Sequence, residues 1–292
     1  MVDHVFVIRR HELTDVEWEL LAPLILSAGR GRPRAEDRRV INGMVYKIRT
    51  GVSWRDLPER YGPWKSVYTR FRRYAIDGVF TRALQQIQAQ ADAAGDIDWL
   101  VQIDSTIVRA HQHAAATPKR GKHRTDEPDD HALGRSRGGL TTKIPLACDG
   151  RGRPLAVLLT PGQRHDGVCA RPLPERIRVP RTGPGRPRCR PDHVIADKAY
   201  SSRGFRAYLR RRGIGHTIPE KNDQKMHRRN RGRRGGRPTA FDSRIHRRRN
   251  TVERCFSQLK GFRGIATRYE KTATSYEAAV TLASLLLWAR SI

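Results

Sequence analysis

The chain has 292 residues and a net charge of +29, from 58 lysines and arginines against 29 aspartates and glutamates. That length can bury a sizeable core as one large domain or two, and the excess of cations calls for a polyanionic partner. Cys148, Cys169, Cys189 and Cys255 have no paired short spacing, which excludes a zinc finger or a disulfide framework. The most apolar stretch, Ala278 to Ala289, is too short to span a bilayer, so the expectation is a soluble cytoplasmic protein with neither signal peptide nor membrane partner.

In chain order, Thr14-Asp15-Val16-Glu17 has the form of a capping box, opening a helix with Trp18, Leu21, Leu24 and Ile25 on one side. Val40, Ile41, Met44, Val45 and Ile48 then repeat at helical spacing and stop at Gly51, a C-cap. A third helix begins near Gly62-Pro63-Trp64, with Trp64, Val67, Phe71 and Tyr74 apolar and Lys65, Arg70, Arg72 and Arg73 on its other faces. A fourth runs from about Val79 to Ala94 with Phe80, Leu84 and Ile87 inward, and Gly95 marks a boundary. Residues 1–95 therefore read as an all-α, helix-turn-helix-like DNA-binding domain whose third helix enters a groove. A helical packing domain with a solvated basic face is the alternative.

From Asp98 the pattern changes to strands: about Asp98 to Val108, Thr141 to Cys148 and Pro154 to Thr160, the last two joined by the turn Asp149-Gly150-Arg151-Gly152. A helix from about Asp166 to Ile177, a strand at Val194, a helix from Ser201 to Arg212, a strand from Ile214 to Ile218 and a last helix bearing Glu253 follow. The polar stretch Ala114 to Arg137 reads as an irregular loop. Its neighbourhood holds His111, His113, His123 and His131, read as facing solvent or phosphate because no Cys or acid completes a zinc set. A basic insertion occupies residues 220–243. From Lys221 to Arg249 twelve cations, Arg228, Arg229, Arg233 and Arg234 among them, face two acids. This predicts a phosphate-binding flap, mobile without DNA, with a solvated loop as the alternative.

Three acids stand out within these elements. Asp104 sits in the apolar run Trp99-Leu100-Val101-Gln102-Ile103-Asp104-Ser105-Thr106, where an unpaired charge costs several kcal/mol, so it needs a counter-ion or a function. Asp197 ends the short strand His193-Val194-Ile195-Ala196, and strand ends before helices are where α/β sheets carry working residues. Glu253 lies on a helix whose Val252, Phe256 and Leu259 form an apolar stripe, while His246, Arg249, Glu253 and Lys260 share the adjacent polar margin. Each acid alone reads more readily as a turn or cap residue or a solvated ion pair than as a catalytic group; their combination points to chemistry. Converging carboxylates repel, and hard divalent cations relieve that repulsion. Two Mg²⁺ ions about 3.5–4 Å apart, with Mn²⁺ substituting, then suit phosphodiester cleavage.

The segments IDST, ADKAY and RRRNTVERCFSQLKGFR resemble the three motif regions of DDE transposases of bacterial insertion sequences, in the insertion-sequence-five group. Its signature is Tyr, two residues, Arg, three residues, Glu, six residues, Lys. Arg249, Glu253 and Lys260 keep that spacing, whereas His246 stands at the Tyr position and Ala199 replaces the usual Gly. LTDVEWELLAPLI, GVSWRDLPERYGPWKSVYTRF and GRSRGGLTTKIPLACDGRGRPL also look like this group, so the resemblance covers nearly the whole chain.

The resemblance implies an α/β, ribonuclease H-like catalytic domain over residues 96–292, a mixed five-stranded sheet with helices whose first and fourth strands are parallel neighbours. It implies that Asp104, Asp197 and Glu253 are catalytic and hold the metals. Arg249 and Lys260 would grip DNA phosphates, and Lys198 would contact DNA or pair locally. The partners would be the terminal inverted repeats and target DNA, bound by a homodimer or larger assembly associated with the nucleoid, and no small-molecule substrate is implied. The reaction would be cleavage that exposes 3′-hydroxyls, followed by strand transfer. A nuclease of the same fold without strand transfer and an inactive DNA-binding repressor are the alternatives. His165-Asp166 matches a pair often found in the group, to which no role is given.

Overall fold

The computed structural model describes residues 9–25, 36–115 and 127–291. Four helices come first: α1 (Asp15–Ile25), α2 (Asp37–Thr50), α3 (Trp64–Ile76) and α4 (Val79–Ala93). The capping box forms before α1, with Thr14 N–H donating to Glu17 Oε2 at 2.9 Å and Glu17 N–H to Thr14 Oγ1 at 3.1 Å. Gly51 ends α2 in the left-handed conformation, φ 75°, and returns its N–H to Lys47 O.

The sheet comprises β1 (Leu100–Ala110), β2 (Gly134–Ser136), β3 (Gly139–Cys148), β4 (Pro154–Val157), β5 (Thr160–Pro161), β6 (His193–Ala196), β7 (Gly215–Thr217) and β8 (Thr267–Arg268). β1 is central: it runs antiparallel to β3 and parallel to β6, which in turn runs parallel to β7. β2, β4 and β5 line the outer side of β3. Two antiparallel strands, a central first strand and two parallel ones form the ribonuclease H-like order, with the first and fourth expected strands side by side. β2 and β8 lie beyond the expected five, and the strand expected over Pro154 to Thr160 divides into β4 and β5; β2, β5 and β8 are each too short to show alternation in sequence.

The remaining helices are α5 (Gln112–Ala115), α6 (Pro172–Arg176), α7 (Arg203–Arg211), α8 (Asn222–Asn230), α9 (Ser243–Arg247), α10 (Asn250–Gly261), α11 (Arg263–Ala266) and α12 (Ala273–Ala289). The helix expected over Asp166 to Ile177 is instead a 3₁₀ turn, Asp166–Cys169, followed by α6 with Pro172 in its first turn. Proline there lacks the N–H that would continue one helix through. The basic insertion is also more ordered than its composition suggests. α8 occupies its first part, and Gln224 ties it down by donating to Ser201 O at 2.8 Å and accepting from Ser201 Oγ at 2.7 Å. His123 lies outside the described residues, as do residues 116–126 of the Ala114–Arg137 stretch, whose end forms β2.

α12 is apolar all round because it is buried all round. It packs against α1, α3 and α4 on the helical side, and against α10 and β4 on the sheet side. One apolar cluster consequently runs from Leu13 through Phe71, Ile103 and Leu259 to Ala289, so the helices before Gly95 share their core with the sheet. Among the described residues no helix is long and apolar enough to cross a membrane.

Candidate active site

Asp104 and Asp197 meet through strand register. The parallel ladder pairs Leu100 with His193, Val101 with Val194, Gln102 with Ile195 and Ile103 with Ala196, so the next step sets Asp104 beside Asp197. There the ladder ends. β8 resumes pairing with β1 only at Arg109 and Ala110, leaving an opening between β6 and β8 along the intervening stretch of β1. Lys260 Nζ reaches that stretch and donates to Ile107 O at 3.3 Å.

α10 brings in the third acid. Val252, Cys255, Phe256 and Leu259 are buried, and the opposite margin presents Glu253 and Lys260 to solvent. Arg249, at the N-cap of α10, lies between the acids: its Nη2 is 2.5 Å from Asp104 Oδ2 and 3.0 Å from Glu253 Oε1. The Asp104 carboxyl also accepts Ser105 N–H at 2.8 Å. Burial pushes the Asp104 pKa above the usual carboxylate value and Asp197 adds to this, while Ser105 N–H and Arg249 pull it down. The guanidinium responds in the opposite sense: burial works to deprotonate Arg249, but Asp104, Glu253 and Asp197 together raise its pKa.

Asp197 accepts Ala199 N–H at 2.6 Å and caps the 3₁₀ turn Lys198–Tyr200. This accounts for the Ala199 departure. The non-glycine residues with positive φ among those described are His11, His131 and Ala132, so position 199 does not require glycine; its backbone N–H is what the turn uses. His246, on α9, is half-buried near Asp197 and Arg249. Burial and Arg249 lower its pKa, and Asp197 opposes them. Its Nε2 is buried without a hydrogen-bond partner.

A second layer was not foreseen as part of the site. Ser105 Oγ donates to Asp166, and Lys143 Nζ stands 2.9 Å from Asp166 Oδ1. Tyr200 is buried against them, its hydroxyl pushed far up in pKa by burial and by Asp166 and Asp104. Ser105 and Tyr200 belong to the IDST and ADKAY motifs, a signal available from sequence. Lys143 lies in the GRSRGGLTTKIPLACDGRGRPL segment, but its place beside Asp166 depends on β1 and β3 pairing.

The remaining candidates separate into held and exposed side chains. On α3, Arg70 pairs with Asp37, and Arg72 Nη1 donates to Thr272 Oγ1 at 3.0 Å and to Ser275 Oγ at 2.6 Å, whereas Lys65 and Arg73 are exposed. In the insertion Arg228 pairs with Glu220, while Arg229, Arg233 and Arg234 are exposed, as is Lys198 beside Asp197. Among the described residues no three His, Cys, Asp or Glu side chains form a group able to hold an ion. The oxygen donors of Asp104, Asp197 and Glu253 nonetheless suit a hard cation, and a guanidinium already sits between two of them.

A ribonuclease H-like sheet with acids from its first strand, its fourth core strand and a following helix at one edge defines the class. Residues 97–288 match the family described as "Transposase DDE domain", and residues 13–84 match "Putative transposase of IS4/5 family (DUF4096)". The chain therefore belongs to the DDE transposases of insertion sequences. Among its relatives, the "Putative transposase for insertion sequence element IS6501" of Brucella ovis is 33% identical over 151 residues, 52% of this chain and 100% of that protein. The "Putative transposase for insertion sequence element IS402" of Burkholderia cepacia is 31% identical over 170 residues, 58% of this chain and 68% of that protein. A solved chain of the "Mos1 transposase paired-end complex with left transposon end" aligns over 91% of this chain and 81% of its own length. Its 11% identity and TM-score of 0.24 are too low to bear on the fold.

Proposed function

We propose that this transposase cuts DNA at the terminal inverted repeats of its element and joins the exposed 3′-hydroxyls to target DNA. Asp104, Asp197 and Glu253 would hold Mg²⁺ ions, two per site, with Mn²⁺ able to replace them. The observation that carries this reading is the Arg249 bridge. Two carboxylates, with a third in register beside them, are gathered around one cation at an open sheet edge.

The divalent ions would supply activation of a water or 3′-hydroxyl and stabilisation of the leaving oxygen. The chain's own residues do the rest. Asp104, held at both oxygens, gives the site a fixed acid on rigid β1, and Asp197 is pre-set by its own turn. Glu253 is half exposed and moves more freely. Arg249 and Lys260, which cannot ligate a metal, take DNA phosphates once the acids bind metal. Exposed Lys198, Arg229, Arg233 and Arg234 would track the duplex backbone, as would Lys65 and Arg73. Synapsis of two ends calls for at least a dimer on DNA, acting at the nucleoid.

The test uses purified protein and a labelled duplex bearing its element's terminal repeat, with Mg²⁺, Mn²⁺ or EDTA, against Glu253→Gln. Metal-dependent cleavage at the repeat boundary that disappears in the variant, together with joining of the 3′ end to a second duplex, is the expected result. Cleavage without joining would make it a nuclease, and binding without cleavage in any metal would make it an inactive DNA-binding protein.

A further inference from the structure

A cleft of about 510 Å³ is walled by His11, Arg49, Arg151, Arg153, Arg290 and the end of α10 at Gln258 and Gly261. Four guanidinium groups and an imidazole line it; Arg153 is held by Asp96 and Asp149 and Arg151 pairs with Asp96, so Arg49 is the lining group left with unfilled donors. Arg49 is the central observation. Its side chain is 11% exposed, and its Nε and Nη2 are buried with no hydrogen-bond partner. Its Nη1 donates to Glu12 O at 2.9 Å, and its Nη2 has only Glu17 Oε1 at 3.6 Å as an ion pair. Glu17 is shared, because Arg290 Nε takes the same oxygen at 3.0 Å. A buried, charged donor left unsatisfied is destabilising, so an anion in the cleft would recover that cost.

Other features agree. Burial and Arg290 lower the Arg49 pKa, with Glu17 opposing, and burial with Arg10, Arg49 and Arg263 lowers that of His11. His11 also holds a left-handed backbone, φ 74°, which a non-glycine residue adopts at a cost. Gly152, φ 91°, lets the Arg151 turn press on α10: a Cβ there would lie 3.1 Å from Thr251 Cγ2. The wall is thus fixed to the helix that carries Glu253, about 12 Å along its axis from Gly261 at 1.5 Å per residue.

We infer that this cleft is a binding site for a phosphate group, gripped by the Arg49 fork with Arg151 and Arg290 at its mouth. Planar guanidinium forks match phosphate oxygens in pairs, which explains a set of arginines without lysine. A duplex whose scissile bond lies at Glu253 would present backbone phosphates here, a source that rests on the transposase reading; a free phosphate compound is the other source of the same chemistry.

Calorimetric titration of the full chain tests this, with inorganic pyrophosphate in metal-free buffer and with the terminal-repeat duplex across a salt series. The proteins are wild type, the double variant Arg151→Ala/Arg290→Ala and Glu253→Gln. The two arginine side chains are 57% and 48% exposed, so their loss spares the core; Arg151→Glu alone serves as the second variant. Pyrophosphate is expected to bind wild type and Glu253→Gln alike and at least tenfold more weakly in both cleft variants. The salt slope for duplex is expected to fall by about one to two in the double variant, at roughly 0.9 per lost phosphate contact. Weakened pyrophosphate binding with an unchanged duplex slope would assign the site to a free phosphate compound. No pyrophosphate binding by wild type, or equal binding in the cleft variants, would overturn the site even if the duplex is cut normally. Pyrophosphate binding here with no duplex binding would overturn the transposase reading and leave the site.

Discussion

Arg249 Nη2 lies 2.5 Å from Asp104 Oδ2, so the largely buried Asp104 is neutralised by a residue of the same signature that carries Glu253. A cation is therefore already built into the site, and a metal ion bound at Asp104 would have to compete with it. Arg249→Ala is expected to lose about 1–3 kcal/mol of stability without metal, because it leaves a largely buried carboxylate unpaired. Mn²⁺ should then raise the melting temperature of the variant more than that of wild type, and bind it more tightly in calorimetry. Equal Mn²⁺ stabilisation of the two proteins would show that the guanidinium and the ion do not share the site.

Glu127 caps α12 from a distant segment. Its Oε1 accepts Ala273 N–H at 2.5 Å, its Oε2 accepts Thr274 N–H at 3.2 Å, and His131 Nδ1 stands at 2.8 Å. Burial alone would raise the carboxyl pKa, but Thr274, His131 and the helix N–H groups outweigh it and hold the pKa below the ordinary 4.5. A depressed pKa gives stability that is present above the unfolded value and lost as pH falls through the folded one. Glu127→Gln should therefore cost about 1–2 kcal/mol near neutral pH, a cost that shrinks below about pH 4.5. Urea denaturation across that range measures it, and a pH-independent difference would refute the assignment.

How much of this was readable from residues alone depends on the distance over which each feature is determined. The Thr14 capping box, the Gly51 cap and the strands around Asp104 and Asp197 are local patterns, and they form as read. The acid triad could be proposed because each acid has a local context and the three motifs resemble a known family. Arg70 and Arg72 on α3 looked equally free to meet DNA, yet one is held by Asp37 and the other by α12, contacts more than thirty residues away in sequence for the first and two hundred for the second. α12 itself reads as a plain apolar stretch, and only packing shows that it joins the helical region to the sheet. The order in the basic insertion was hidden for the same reason, since Gln224 needs Ser201 as its partner.

Lys47 and Glu270 form a buried pair, Nζ to Oε1 3.4 Å, with side chains 2% and 4% exposed. Lys47 also lies over the rings of Trp54 and Tyr269, at 5.6 and 5.1 Å from their centroids. Removing one partner strands the other charge, so Lys47→Met is expected to cost about 3–5 kcal/mol. Adding Glu270→Leu should recover much of that loss, because a charge-free pair of similar volume avoids desolvation. A double variant no more stable than Lys47→Met in urea denaturation would place the cost in lost aromatic contacts instead.

The two basic surfaces make opposite predictions for stability and DNA affinity. Arg72 is held by Thr272 and Ser275, so Arg72→Ala should lower stability by about 1–3 kcal/mol, as charged hydrogen bonds do, and leave the DNA salt slope unchanged. Arg229, Arg233 and Arg234 are exposed. Replacing all three by Ala should leave the melting temperature within experimental scatter and reduce the salt slope by up to about 3, near 0.9 for each phosphate released. Lys65→Ala/Arg73→Ala decides whether α3 touches the duplex: a slope reduced by about 2 places it in contact, and an unchanged slope assigns α3 to packing against α12. An insertion variant that melts early, with an unchanged slope, would show that these arginines support the fold and not the duplex.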